Sequence, residues 1–417
     1  MISPEWKTLV KLYHCGAVGE RAVIDPSVDA AALISLAEEQ AVIGMIALPL
    51  ASAEPAVLSG SEALHLRAAA AGNNIANRRR MEAALGVVER LNAAGIHAAV
   101  LKGPSIAALY RWPECRSSAD TDILISEDQE NETLAFLENE GFSVEPREPG
   151  SNHSSCVHPE AGLFEVHVRL WHDDAEMIFG SFSPELEFVE DELFGHRFPT
   201  LAPNNGALFN VLHLIKHFAA ERIGLRRVYD CALYLYAKRD SIDAELLQSS
   251  LRRLNGETVL YAALSVLINE GCFKPDELPL PIRCTERLAG LFEEDMALYS
   301  SKRELDFQER EELWCAYARR QTKLIGGSSL RRFTDRARKR RLEVFFPSAQ
   351  KLAEDYPALN GRRLLYPVFW AHRAARGVFK KGTIIAKLFR GSESTRDLLA
   401  EGANQRAELF RELGLIE

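Results

Sequence analysis

The chain has 417 residues, 47% apolar and 26% charged, with 26 Gly, 18 Pro and a net charge of -9, a balance that excludes collagen-like and disordered chains and allows roughly two to four domains. No apolar run approaches the ~18 residues of a membrane span and the start, MISPEWKTLVKLYHCGAVGE, lacks a signal-peptide core, so a cytoplasmic protein is expected. The charge is uneven: residues 321–395 hold 17 Lys and Arg against 5 Asp and Glu, which leaves -21 on the remainder.

From Pro26 to Gly95 apolar residues recur at helical spacing, which predicts an N-terminal helical region over 1–95. Gly95 sits where a helix would end, and IHAAVLK (96–102) is a short apolar run closed by Gly103-Pro104, the pattern of a strand entering a turn. A helix over 105–111, a loop over 112–119 and a second strand over 120–126 follow, the last carried by Ile123, Leu124 and Ile125. A further helix ends at Gly141, FSVEP reads as a third strand, and LFEVHVRLW (163–171) is the clearest strand of the chain. Beyond about residue 200 the pattern is helical to the end. The expected class is α+β: a small mixed β-sheet core over 96–200, flanked by the N-terminal helices and by a large C-terminal helical region over 201–417. Seven cysteines lie far apart without a CxxC pair, which predicts mostly buried thiols and neither a disulfide framework nor a zinc knuckle.

Alternation along the second strand sets Asp120 and Asp122 on one face, with Thr121, Ile123 and Ile125 on the other. Two carboxylates side by side repel, and a divalent cation with oxygen ligands is the usual way to neutralise them. In LFEVHVRLW, Glu165, His167 and Arg169 share one face while Phe164, Val166, Val168 and Leu170 share the other. If the two strands are neighbours, three carboxylates converge, the arrangement that two-metal phosphoryl or nucleotidyl transfer requires. The alternative is an edge strand with a wet outer face.

The segments LKGPSIAALYRWPECRSSADTDILIS, FEVHVRLW and LFNVLHLIKHFAAERIGLRRVYDCALYLY resemble, in order and spacing, the bacterial nucleotidyltransferase-like family of the polymerase-β-type superfamily, over about residues 60–240. The resemblance implies a nucleotidyltransferase core over 96–200, with Asp120, Asp122 and Glu165 as the metal-binding triad. It further implies that Lys102, Gly103 and Ser105 lie in a turn facing the nucleotide phosphates and that Lys216 is a triphosphate ligand. Two positions depart from the family pattern: the turn is Gly103-Pro104-Ser105, where Pro104 removes one donor, and Ala119 stands where Gly is frequent.

Other residues carry two readings each. Arg116 either neutralises a pyrophosphate leaving group or is an exposed loop arginine. His213 and His217, four apart on one helical face, lack the Glu of an HExxH pair, which favours structural hydrogen bonds over metal binding. Asp230 is expected to cap a helix or pair with Arg226 or Arg227. His153, Cys156 and His158 look like a zinc fragment without a fourth ligand. The run Arg331, Arg332, Arg336, Arg338, Lys339, Arg340 and Arg341 is either a solvated helical face or a contact for a polyanion. The expected enzyme is a nucleotidyltransferase that uses Mg²⁺ or Mn²⁺ and passes a nucleoside monophosphate from an NTP, ATP foremost, to a hydroxyl of a small molecule, peptide, protein or RNA. Glu165 would both ligate metal and act as general base. The alternatives are a non-catalytic nucleotide- or RNA-binding protein on the same fold, and a phosphotransferase.

Overall fold

The computed structural model describes residues 2–118, 120–148, 151–171, 185–254, 256–300, 406 and 408–415. The chain divides into two compact units, Met1–Leu313 and Trp314–Glu417. Of the second, only Arg406 and residues 408–415 are described, helical over 408–412. The basic run Arg331–Arg341 therefore lies outside the described residues, as do Ala119 and Cys315.

The first unit begins with helices α1 (Pro4–Val18), α2 (Ala30–Glu39), α3 (Ile43–Ala51) and α4 (Gly60–Ala93). Side chains set their starts: Ser3 caps α1 ahead of Pro4, Asp29 caps α2, and Ser59 and Glu62 form a reciprocal capping box on α4. The 34 residues of α4 make a rod about 50 Å long. Then come β1 (Ala99–Lys102), the single turn α5 (Pro104–Ala107), β2 (Asp120–Leu124), α6 (Glu130–Asn139), β3 (Ser143–Glu145), β4 (His153–His158), β5 (Gly162–His167), β6 (Phe188–Leu193) and β7 (His196–Leu201). Helices α7 (Pro203–Ala220), α8 (Leu225–Ala237), α9 (Ala244–Arg253), α10 (Glu257–Asn269) and α11 (Glu286–Ala297) complete it. The α+β class holds.

All seven strands form one mixed sheet in the order β3-β4-β5-β2-β1-β7-β6. β2 is antiparallel to β1 and parallel to β5, so it lies at the centre where strand direction changes partner. Period-two alternation sends Val100, Ile123, Phe164, Val166 and Phe198 to one face. There they pack with Met81, Leu85, Val88 and Leu91 of α4 and Leu137 of α6. These side chains are essentially buried, which makes α4 the backing plate of the sheet.

The helices before and after the sheet share a core. Trp6 Nε1 donates to Glu293 Oε1 at 3.0 Å, the Tyr13 and Tyr229 rings meet edge-on at 4.8 Å, and Gln40 Nε2 donates to the carbonyls of Met296 and Tyr299. Helix α10, apolar on every side in TVLYAALSVL, lies buried over Val259–Leu267. Among the described residues no helix is long and apolar enough to cross a membrane. The six described cysteines are free thiols, with Cys156, Cys231 and Cys272 buried.

Candidate active site

The face of the sheet opposite α4 carries the charged residues, and strand register sets them in rows. Lys102 on β1 pairs with Asp122 on β2, and Asp122 pairs with Glu165 on β5. In the next row His167 of β5 lies directly opposite His153 of β4. Four neighbouring strands thus bring residues distant in sequence onto one patch.

Within the patch the ligand oxygens of Asp120, Asp122 and Glu165 lie within 4.8 Å of one another. Lys102 Nζ sits 3.3 Å from Asp120 Oδ2 and 3.2 Å from Asp122 Oδ2. Burial alone would lower the Lys102 pKa, but Asp122, Asp120 and Glu165 together raise it, so the ammonium stays charged. His167 Nε2 lies 3.0 Å from Asp122 Oδ1 and 3.4 Å from Glu165 Oε2. Burial would raise the Glu165 pKa; the His167 contact and the Lys102 charge outweigh it and hold the carboxyl at about 2. Burial keeps His153 below its ordinary value.

Asp122 is 1% exposed, and its Oδ2 has beside it only the Lys102 ammonium, an ion pair at 3.2 Å. A buried carboxylate oxygen with an open lone pair, beside two more carboxylates, is a hard oxygen donor set suited to a divalent cation such as Mg²⁺ or Mn²⁺. The residues present fit such a cation.

The turn after β1 is shaped by Gly103, whose φ of 85° lies in the left-handed region. A Cβ there would stand 3.0 Å from the Asp120 carbonyl oxygen, so the glycine lets the turn run against the start of β2. Ser105 is buried and its hydroxyl donates to the Leu101 carbonyl at 3.2 Å, which turns the side chain inward and leaves its backbone as the part nearest the turn.

Arg116 is 6% exposed. Its Nε and Nη2 donate to the two oxygens of Asp230, each at 2.8 Å, and its Nη1 lies 3.5 Å from the Gly103 carbonyl. Asp230 Oδ1 also accepts from the Tyr110 hydroxyl at 2.7 Å. Asp230 thus pairs with Arg116, not with its helical neighbours: Arg226 donates to the Ser117 carbonyl and Arg227 to Glu221 Oε1 at 2.7 Å. The loop that delivers Asp120 is tied from other sides as well. Asn77 Nδ2 donates to the carbonyls of Glu114 and Arg116, Arg80 to that of Ser118, and the Ser117 hydroxyl to that of Ala41.

Helix α7 brings cations and imidazoles to the same neighbourhood. Lys216 is half-buried; burial and the repulsion of Lys102 lower its pKa to about 8 against the attraction of Glu165 and Asp122. The His213 and His217 rings are 4.4 Å apart, and burial drives both well below the ordinary histidine value. His217 Nδ1 and Glu221 Oε1 are 2.7 Å apart, a structural hydrogen bond, and neither histidine joins a metal-ligand group among the described residues.

The zinc fragment dissolves. Alternation along β4 sends Cys156 into the core, and His158 Nδ1 accepts from the backbone N–H groups of Glu160 and Ala161, while His153 faces Glu165 and His167. His153, His167 and Asn152 are the site residues whose roles sequence reasoning missed. Their signal was the shared face of Glu165 and His167, but the partners lie on another strand.

A family model described as uncharacterised nucleotidyltransferase matches residues 26–268, which takes in α2–α4, the whole sheet and helices α7–α9 with most of α10. Neither curated proteins nor solved structures yield a match. With the matched stretch spanning more than half of its length and containing the acidic cluster, the chain belongs to this nucleotidyltransferase family.

Proposed function

We propose that the protein transfers a nucleoside monophosphate from an NTP, ATP foremost, to a hydroxyl of a second molecule, and that the reaction takes place at Asp120, Asp122 and Glu165. The observation that carries this reading is the open, buried Asp122 Oδ2 within a three-carboxylate cluster of a nucleotidyltransferase-family chain. Mg²⁺ or Mn²⁺ held by the three carboxylates would neutralise phosphate charge and polarise the reacting oxygens.

In this reading Lys102 and Lys216 bind the β- and γ-phosphates, Lys102 exchanging part of its ion pairing with the aspartates for the nucleotide. The Gly103–Ser105 turn lets the phosphates approach the backbone closely. The acceptor oxygen forms a bond to the α-phosphorus, the bond to the bridging oxygen breaks, and pyrophosphate leaves with the electron pair. Glu165, at about 2, is ionised throughout the neutral range and is a weak proton acceptor. Its first role is therefore cation binding; it accepts the hydrogen bond of the acceptor hydroxyl and hands the departing proton to solvent.

A second reading, nucleotide or RNA binding without turnover, is favoured by one observation: Pro104 removes a donor from the turn and the Ser105 hydroxyl is spent on Leu101. Incubation of the full chain with α-labelled and, separately, γ-labelled NTP, Mg²⁺ or Mn²⁺ and fractionated cell lysate decides. Stable α-label on an acceptor supports nucleotidyl transfer, γ-label alone makes it a phosphotransferase, and metal-dependent binding without either label supports the non-catalytic reading.

A further inference from the structure

Two groups of side chains among the described residues could each hold one cation, Asp120–Asp122–Glu165 and His153–Glu165–His167, and they overlap at Glu165. The buried Asn152, one residue ahead of β4, tells them apart. Its Nδ2 lies 3.2 Å from the carbonyl oxygens of both Arg169 and Leu170 and 2.8 Å from His167 Nδ1. Its Oδ1 faces His153 Nδ1 at 3.3 Å. Turning the amide over would set its oxygen against two carbonyl oxygens, so the network fixes the nitrogen on that side.

An amide nitrogen donates and does not accept. His167 Nδ1 is therefore the acceptor, and the ring proton is on Nε2, which points between Asp122 Oδ1 at 3.0 Å and Glu165 Oε2 at 3.4 Å. A second ring proton would have to enter at Nδ1, against the Asn152 amide, and would leave Nε2–H in place. In either charge state Nε2 lacks a lone pair for a metal; only the tautomer that Asn152 opposes would supply one.

We propose that Asn152 and His167 are positioning residues for the carboxylate site: the Asn152 amide fixes the His167 tautomer, and the His167 Nε2–H holds one oxygen each of Asp122 and Glu165. Asp122 Oδ2 is left to the cation. The same hydrogen bond closes the histidine cluster to metal, so the site stays oxygen-only and favours Mg²⁺ or Mn²⁺ over softer cations such as Zn²⁺. The inference rests on the reading that these carboxylates bind a cation.

The test has two independent arms. Long-range ¹H–¹⁵N spectra of the metal-free full chain report the His167 ring, and Nε2–H is expected with Nδ1 unprotonated. Manganese titration followed by electron paramagnetic resonance then compares the wild type with Asn152→Ala, His167→Ala and His167→Gln, whose amide keeps an N–H near the Nε2 position. His167→Ala is expected to weaken Mn²⁺ about 10–100-fold, Asn152→Ala by less, and His167→Gln to recover most of the loss. The proposal is overturned by an Nδ1–H tautomer, by imidazole nitrogen coupling to the bound Mn²⁺, or by wild-type affinity in a folded His167→Ala. If that variant does not fold, the tautomer and the nitrogen coupling of the wild type decide. Absence of Mn²⁺ binding by the wild type overturns the functional reading and, with it, the purpose given to the pair, while the tautomer is still read separately.

Discussion

Two charge networks lie a few residues apart in this protein and are built to opposite ends. Around Asp230 every strong acceptor has a donor: two bonds from Arg116, one from Tyr110, all at 2.7–2.8 Å and nearly out of contact with solvent. Around Asp122 the contacts are longer, 3.0 Å to His167 and 3.2 Å to Lys102, and one buried oxygen has only that lysine beside it. A satisfied network is complete and serves structure; a network that keeps a lone pair open at a cost to stability keeps it for a ligand. Arg116 and Asp122 differ in this respect although four residues before a DxD strand is also where a substrate-binding arginine could sit.

The contrast can be broken by substitution. Asp122→Ala or Glu165→Ala is expected to lower NMP incorporation by more than about 10³-fold, the loss of several kcal/mol of charge stabilisation, with the melting temperature unchanged or raised. Label transfer and thermal unfolding on the same preparations check it; retained incorporation would sink the assignment of the site. Arg116→Ala should do the reverse, costing about 3–5 kcal/mol of stability because it strands Asp230 in the interior. Denaturant unfolding measures that loss, and a variant as stable as the wild type would show that the pair is not a strut.

Lys216→Met is expected to raise the KM for NTP by about 10-fold or more, the worth of a charge-assisted contact, with stability at neutral pH raised because a buried charge is removed. The pH dependence has a definite sign. With a pKa of about 8 among Lys102, Arg227, Glu165 and Asp122, Lys216 is charged below that value and neutral above it. NTP affinity should therefore fall as pH rises through about 8, and Lys216→Arg should flatten the fall because a guanidinium stays charged. Between about pH 8 and the ordinary lysine value the unfolded chain binds more protons, so this residue makes stability rise with pH across that window. Asn77→Ala is expected to cost about 1–3 kcal/mol of stability, less than Arg116→Ala, from the two loop carbonyls left without their donor. Loss of activity there out of proportion to stability would show that the loop is set for catalysis and not merely held.

What could be read from the sequence was local. Period-two alternation found the faces of β2 and β5, and the Gly103-Pro104 break found the turn between β1 and α5. β4 escaped because HSSCVH is polar on both faces by composition, its pattern making sense only once His153 meets His167. The β6–β7 hairpin escaped because its two-residue turn is Phe194-Gly195, both in the left-handed region, where Asn-Gly or Asp-Gly would have announced it. From the sequence Asp230 reads as a partner of Arg226 or Arg227 because those are its neighbours on the helix. Its actual partner is 114 residues earlier, and no periodicity carries that distance.

That span has a consequence for how the chain is made. Arg116 leaves the ribosome long before Asp230, and until α8 emerges a guanidinium destined for the interior has no counter-ion, nor the Gly103 turn its brace from behind. The acidic site is thus assembled late, and a fragment cut at residue 200, where helical periodicity takes over, would carry all three carboxylates without the acid that pairs with Arg116 in the loop between Lys102 and Asp120. Expressed alone, such a fragment is expected to hold the sheet poorly, and adding back a chain beginning at residue 201 should restore it only where the two pieces can reunite Arg116 with Asp230.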